Sequence, residues 1–341
     1  MISKNKKRIQ VLLFVVIMGF TFYAVFHKQD LPTIWDSICK MSWVSILVAI
    51  ALSIFFASAE GIMMWYLLRS MGNKCRLGQC LRYSWVGFFY SGITPSATGG
   101  QPMQLYYMNK DGWKASQSTV ILMTMALAYK LVLVLVGTTM LIVWYQPLKS
   151  YMGNTVLLYF LGIVLNLGVI LVIIGAMAFP NILIQVANWF EVLLIRAHIW
   201  KPKEGRKAKV KEFVGQYRQA VGFMAGHKSR ILVVMFITAL QRFSMFLLTY
   251  VIYKGFYLAG ENVWKIMELQ AAVTISVDML PVPGAQGITE IVYQAVFGNI
   301  FTEEYLVPSM LVNRGINFYF LLVFCGVVAA LAAIKVKKYG D

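Results

Sequence analysis

Charged residues are scarce in this chain. Only 13% of its 341 residues are Asp, Glu, Lys or Arg, whereas 59% are hydrophobic. A soluble domain has about 25% charged residues, so this composition excludes an ordinary soluble domain. The mean hydropathy of +0.68 agrees, and both values indicate an integral membrane protein.

The sequence is also poor in residues that hold metals and nucleotides. Its four cysteines lack metal-ligand spacing, and its three histidines are scattered outside the apolar segments. No nucleotide-binding motif is present. We therefore predict no metal and no cofactor, and we do not expect ATP hydrolysis. Cys75 and Cys80 lie in a basic loop that we place in the cytoplasm, where thiols stay reduced.

Long apolar segments dominate the rest of the chain. They predict an all-α polytopic membrane protein, residues 1–341 forming one membrane domain, with six full spans. The expected spans are residues 9–26, 43–68, 120–145, 155–179, 231–258 and 306–334. The first should be an uncleaved signal anchor, because bulky side chains at 23–26 leave no small-residue cleavage site.

Two further apolar segments are interrupted by proline and glycine. Residues 91–102 contain Pro95, Gly99-Gly100 and Pro102, and residues 281–287 read Pro-Val-Pro-Gly-Ala-Gln-Gly. Such sequences break a helix, and broken backbone is tolerated in a bilayer only beside protein or water. We predict two re-entrant helical hairpins, which bring the total to about eight transmembrane segments.

The two hairpins occupy matching places in two halves of the chain. Residues 43–145 and 231–334 each run span, broken hairpin, span, with opposite directions across the membrane. This order is typical of an inverted-topology repeat, whose broken segments meet at a transport site. We therefore expect both loops to reach one hydrated chamber.

The basic residues are distributed unevenly over this topology. Of 31 Lys and Arg residues, 23 fall on one side, five on the other and three within spans. The positive-inside rule then predicts a multi-pass protein of the plasma membrane with both termini in the cytoplasm. This asymmetry accounts for most of the net charge of +17 without a DNA partner.

The longest basic segment, residues 181–230, is predicted to be cytoplasmic. Apolar residues at helical spacing between Val210 and Met224 alternate with cations such as Lys211 and Arg218. This pattern favours an amphipathic helix on the cytoplasmic leaflet, held by anionic headgroups. A solvated connector and a tRNA-binding surface are the alternatives.

Ionisable residues at membrane depth are functional candidates, because burying an unpaired charge there is costly. Six satisfy this criterion: Glu60, Lys130, Arg242, Asp278, Glu290 and Arg314. The two arginines could clamp a phosphate, and any of the three acids could face an ammonium group. Alternatively, the six could pair with one another and only fix helix packing.

The broken loops supply a second set of candidates, because helix ends there would direct N–H groups at an anion. The first loop offers Ser96, Thr98, Gly99, Gly100 and Gln101; the second offers Gly284, Gln286 and Gly287. Close helix packing is the alternative explanation for the glycines.

These two loops carry a family resemblance. Residues 94–102, Thr-Pro-Ser-Ala-Thr-Gly-Gly-Gln-Pro, and residues 280–290, Leu-Pro-Val-Pro-Gly-Ala-Gln-Gly-Ile-Thr-Glu, resemble the paired signatures of the lysylphosphatidylglycerol synthase/flippase transmembrane family (multiple peptide resistance factor). Ala285 departs from the glycine that is usual there. The resemblance spans nearly the whole chain.

The resemblance implies a flippase that moves aminoacylated phosphatidylglycerol and thereby confers resistance to cationic antimicrobial peptides. Full-length members also carry a soluble synthase domain that uses lysyl-tRNA. This chain ends at Asp341, seven residues after its last expected span, so we expect no transferase domain in it. Expected partners are membrane phospholipids, a separate synthase and, in an oligomer, further copies of the chain.

Three functions remain open from the sequence. The chain could translocate an anionic or aminoacylated phospholipid. It could be the membrane part of a phosphatidylglycerol lysyltransferase. It could also be a scaffold that recruits partners through its basic helix.

Overall fold

The structure is helical throughout the residues that it describes. The computed structural model describes residues 31–94, 97–179 and 206–338, with positions 185 and 189, and it contains no strand within these ranges. The side chains of residues 31, 206–211, 283 and 335–338 are not described.

Five helical segments in the described ranges are long and apolar enough to cross a bilayer. They are Trp43–Ser70, Ala115–Val143, Tyr145–Ala178, Lys228–Gly255 and Glu303–Ile334. These overlap five of the six predicted full spans. The sixth, residues 9–26, lies outside the described residues, so the count of eight segments stays a prediction.

Helices are numbered in chain order. The chain up to the end of the first broken region forms α1 (Leu31–Cys39), α2 (Trp43–Ser70), α3 (Leu77–Gly92) and α4 (Gly100–Lys110). The middle of the chain forms α5 (Ala115–Val143), α6 (Tyr145–Met152), α7 (Val156–Ala178) and α8 (Arg206–Gly226). The remainder forms α9 (Lys228–Gly255), α10 (Val263–Val277), α11 (Ile288–Phe297), α12 (Glu303–Arg314) and α13 (Leu321–Lys338).

Each interrupted segment is a pair of short helices. Helices α3 and α4 pack against each other around the first break, and α10 and α11 do so around the second. The backbone at both breaks enters the left-handed region, with φ of 53° at Ala97 and 60° and 82° at Gly284 and Gly287. Such values end a right-handed helix and turn the chain.

The buried apolar residues form two clusters at opposite ends of the bundle. The first cluster takes the end of α2, the start of α5 and of α9, and the pair α3–α4; the second takes the other ends of these helices and the pair α10–α11. Because α2 and α9 are antiparallel neighbours, with Ser42 N–H bonded to Gly255 O at 2.9 Å, the two helix pairs occupy opposite ends. Along α2, α5 and α9, the buried polar residues Ser53, Lys130 and Arg242 lie between the residues of the two clusters.

One further irregularity lies in the last span. Between α12 and α13, residues Gly315–Phe320 form a π-helical turn. The Ser53 hydroxyl of α2 donates to the Ile316 carbonyl within it at 3.1 Å. A π-turn widens the helix and often marks a functional position.

Helix α8 is amphipathic, as expected from the basic segment, but its apolar face packs on protein. Val214, Tyr217 and Met224 are buried, and α8 packs against α5 and α9. The Tyr217 hydroxyl lies 3.3 Å from the Ala176 carbonyl of α7. The expectation that this face lies on lipid therefore needs correction. Helices α5, α7 and α9 supply an apolar protein surface on which the face packs instead of on lipid.

Candidate functional site

A cavity lies where the loops of the two helix pairs meet. It encloses about 300 Å³. Its wall includes Ser91, Gly92 and Ala97 from the first break, and Leu280 and Gly284 from the second. Further residues of its wall include Phe56 of α2, Gln270 of α10, Asp278 directly after α10, Arg314 of α12, and Asn317 and Phe318 of the π-turn. Two segments nearly 190 residues apart in sequence thus share one chamber.

Asp278, which lines the cavity, forms an ion pair with α5. At the end of α10, its carboxylate accepts from Lys130 Nζ of α5 at 2.5 Å and also from the Tyr129 hydroxyl. Both charged side chains are 11% exposed. Lys130 also contacts the Met279 sulfur at 3.0 Å. The start of the second loop is therefore tied to α5.

The other end of the second loop is tied to α12. Arg314 Nε donates to Glu290 Oε1 at 2.9 Å, and Arg314 Nη2 donates to the Gly284 carbonyl at 2.9 Å. The guanidinium also lies 4.9 Å from the Phe318 ring centre. Both side chains of the pair are buried. Two cations, Lys130 of α5 and Arg314 of α12, thus hold residues 278–290.

Arg242 of α9 has a different environment. Its guanidinium carbon lies 4.4 Å from the Phe56 ring centre and 4.2 Å from that of Tyr129, so it is sandwiched between aromatic faces. The side chain is 9% exposed, and its Nε is buried without a hydrogen-bond partner. Cation–π contacts stabilise such a charge, but they leave its donor unused.

Glu60 of α2 is half-buried and lies close enough to Arg242 for electrostatic attraction. Its Oε2 accepts from Gln104 Nε2 of α4 at 2.9 Å. Gly87 makes this possible, because a Cβ there would lie 2.2 Å from Gln104 Nε2. Glu60 thus has an amide partner, whereas Asp278 and Glu290 have cationic ones.

The first loop is held mainly by its own polar groups. The Thr94 hydroxyl donates to the Tyr90 carbonyl at 2.7 Å and accepts from Gly99 N–H at 2.8 Å. Gly100 is buried, and a Cβ on it would lie 2.0 Å from Ser91 Oγ. Its glycines therefore serve close packing here.

The remaining loop candidates lie in different surroundings. Thr98 and Gln101 are exposed, and Ser96 lies outside the described residues. In the second loop, Gln286 is buried, and a Cβ on Gly284 would lie 2.5 Å from the Phe318 ring. Ala285 has φ of 49°, so the alanine found where glycine is usual occupies strained left-handed backbone.

A chain of uncharged polar residues was not singled out from the sequence. Asn317 Nδ2 donates to Asn313 Oδ1 at 2.5 Å, Asn313 Nδ2 donates to Thr249 Oγ1 at 2.7 Å, and Thr249 donates to Gln270 Oε1 at 2.9 Å. The two residues at the ends of this hydrogen-bonded series, Gln270 and Asn317, line the cavity. Two asparagines four residues apart in an apolar span were the available signal, since both face one side of a helix.

Within the described residues, no three His, Cys, Asp or Glu side chains are grouped as metal ligands. The cavity is instead lined by the charged residues Asp278 and Arg314 and by the amides of Gln270 and Asn317. Such a set can bind a charged or zwitterionic group, and no nucleophile–base pair stands out in it.

Comparison with protein families agrees with the loop signatures. The model of the lysylphosphatidylglycerol synthase TM region matches residues 9–325. The chain belongs to this family. No curated protein matches the sequence. Membership indicates a multi-pass membrane protein with a role connected to membrane lipids.

Proposed function

We propose that this family member translocates phospholipids with an anionic or aminoacylated headgroup between the leaflets of the plasma membrane. The observation that carries the proposal is the shared cavity, which both broken loops line from opposite ends of the bundle. Loops that meet midway across a bilayer typify transport sites.

The size of the cavity suits a headgroup. About 300 Å³ lies at the lower end of the range of ligand pockets. A phospholipid headgroup fits this space, but two acyl chains do not fit beside it. The chains would therefore remain in the surrounding lipid while the polar group crosses through the protein.

Two charged side chains next to the cavity, Arg242 and Glu60, suit the two ionic groups of such a lipid, since Arg242 stacks on Phe56 in the cavity wall. Arg242 has a buried donor without a partner and Arg314 lines the cavity, so these two arginines are the candidates for binding the phosphate. Glu60 is paired only with the amide of Gln104 among the hydrogen bonds seen, so it can take an ammonium group. The two side chains are close enough to bind neighbouring groups of one zwitterionic headgroup.

The inverted repeat would supply the movement. In the first half α2 packs on α3 and α4 packs on α5; in the second half α9 packs on α10 and α11 packs on α12. The leading helices of the two halves, α2 and α9, pack extensively on each other. This correspondence supports a repeat whose halves rock around a fixed site, with both termini and α8 on the cytoplasmic side.

Reconstitution tests the proposal. Purified protein in liposomes would be given a fluorescent phosphatidylglycerol or an aminoacylated analogue, and a membrane-impermeant reductant would report the leaflet. Wild-type protein should accelerate translocation, Arg242→Gln should reduce it at least tenfold, and Arg218→Gln on the exposed face of α8 should not. No acceleration with any of these lipids would refute translocation.

The description of the family, which names a synthase, supports a second candidate. The chain could form the membrane part of a lysyltransferase that acts with a separate synthase. Adding lysyl-tRNA and phosphatidylglycerol to the purified chain should then give no lysyl lipid, whereas adding the synthase should. Resistance to cationic peptides would follow from either activity, and survival of a deletion strain under such a peptide measures it.

A further inference from the structure

Arg314 cross-links the second break. Its guanidinium joins the Gly284 carbonyl, within the loop, to the Glu290 carboxylate, in the first turn of α11. Arg314 and Gly284 line the cavity. A ligand in the cavity can therefore reach the cation that keeps the loop in place.

Two polar atoms beside this clamp have no partner. Glu290 Oε2 and Gln286 Nε2 are both buried without a hydrogen bond, and their residues are 5% and 3% exposed. One is an acceptor and the other is a donor. Tyr319 connects the two residues. Its hydroxyl donates to Gln286 Oε1 at 3.4 Å and interacts electrostatically with Glu290 and Arg314.

Unpaired buried polar atoms are rare in proteins and need an explanation. Here the unpaired donor and the unpaired acceptor complement each other: Gln286 lies in the loop before α11, and Glu290 lies four residues later in the first turn of α11. If Arg314 turned away, Glu290 could accept from Gln286 Nε2, and its charge would not be left without a partner.

We propose that the Glu290 carboxylate occupies the place of a lipid phosphate in the resting protein. A phosphate that enters the cavity takes Arg314, because two phosphate oxygens can bind the guanidinium bidentately. Glu290 then exchanges Arg314 for Gln286, and the loop around Gly284 is released. This inference rests on the proposed function for the lipid nature of the ligand.

Glu290→Gln distinguishes this exchange from a structural ion pair. The variant keeps the shape of the side chain but removes the competing anion, so dioctanoyl phosphatidylglycerol in detergent should bind about tenfold more tightly, which corresponds to about 1.4 kcal/mol. Glu268→Gln of α10 removes the same charge away from the cavity and should leave the affinity unchanged. Equal or weaker binding by Glu290→Gln would overturn the proposal.

Wild-type protein provides a second measurement that needs no variant. Amide hydrogen exchange in residues 279–287 should increase when dioctanoyl phosphatidylglycerol binds and should stay constant with dioctanoylglycerol, which has the same tails and no phosphate. Unchanged exchange with both would contradict the release of the loop. Inorganic phosphate that competes as well as the lipid would refute a lipid as the ligand.

The two proposals can fail separately. Tighter binding by Glu290→Gln without any translocation by wild-type protein would refute transport and support the exchange. Translocation by the wild type with no change in affinity on Glu290→Gln would refute the exchange and support transport.

Discussion

The ion pair between Lys130 and Asp278 should stabilise the protein only as a pair. In Asp278→Asn, the Lys130 ammonium remains in a site that is 11% exposed and loses its carboxylate. Removing one member of a buried pair costs about 3 kcal/mol or more. For a chain of this length that cost lowers the melting temperature by roughly 5 °C, which differential scanning fluorimetry in detergent can detect.

Lys130→Met should cost a similar amount, because it leaves the Asp278 carboxylate buried and uncompensated. The double variant Lys130→Met, Asp278→Asn should recover most of the loss, since neither charge remains. The matched control is Asp36→Asn, which breaks a pair whose side chains are 67% and 63% exposed and should leave the melting temperature unchanged. A melting temperature of Asp278→Asn within about 1 °C of wild type would be on the order of the measurement error. That result would mean that the ion pair does not tie the loop to α5.

Three further predictions concern other parts of the chain. Gly284→Ala should destabilise the protein or abolish transport, because its Cβ would meet the Phe318 ring at 2.5 Å and because φ is 60°; Phe318→Ala should partly restore it, as transport and melting assays would show. Ser53→Ala should lower the melting temperature by a few degrees, since the Ile316 carbonyl of the π-turn would lose its donor. A membrane-impermeant maleimide added to intact cells should label the protein at the exposed Cys39, and the Cys39→Ser variant should not be labelled. Cys75 should stay unlabelled even in permeabilised cells, because burial raises the pKa of its thiol.

The helical spans could be predicted because their signal is local. An apolar run of 20 residues has one stable arrangement in a bilayer, whatever its neighbours are. The helix breaks were equally local, since proline and glycine act on their own backbone. The overlap of five predicted spans with helices follows from this, and so does the pairing of α3 with α4 and of α10 with α11.

The partners of the charged residues could not be predicted in the same way. Lys130 and Asp278 are 148 residues apart, and periodicity carries no information on which distant side chain will meet another. The alternative that the six charges pair among themselves holds for four of them in this structure. Arg242, sandwiched between two rings, and Glu60, held by Gln104, do not follow it.

Helical phase explains two other differences. Gln101 and Gln104 both lie in the first half of α4, but Gln101 is exposed and Gln104 bonds to Glu60. Residues three apart differ by about 60° in direction around a helix, so the sequence did not show which of the two faces the bundle. The apolar face of α8 could equally have met lipid or protein, since amphipathicity reports only that one face avoids water. Packing of the surrounding helices decides which.

The two breaks differ in what holds them, and this bears on how a rocking motion could occur. The first loop is stabilised by hydrogen bonds within itself, through Thr94 and Ser91. The second is held by ion pairs to helices outside it, through Lys130 and Arg314. Ionic partners can be exchanged for the charges of a ligand, whereas a loop closed on its own backbone offers a ligand nothing to replace. If the chain transports a charged headgroup as proposed, that headgroup would change the position of the second loop, and the first loop would stay fixed.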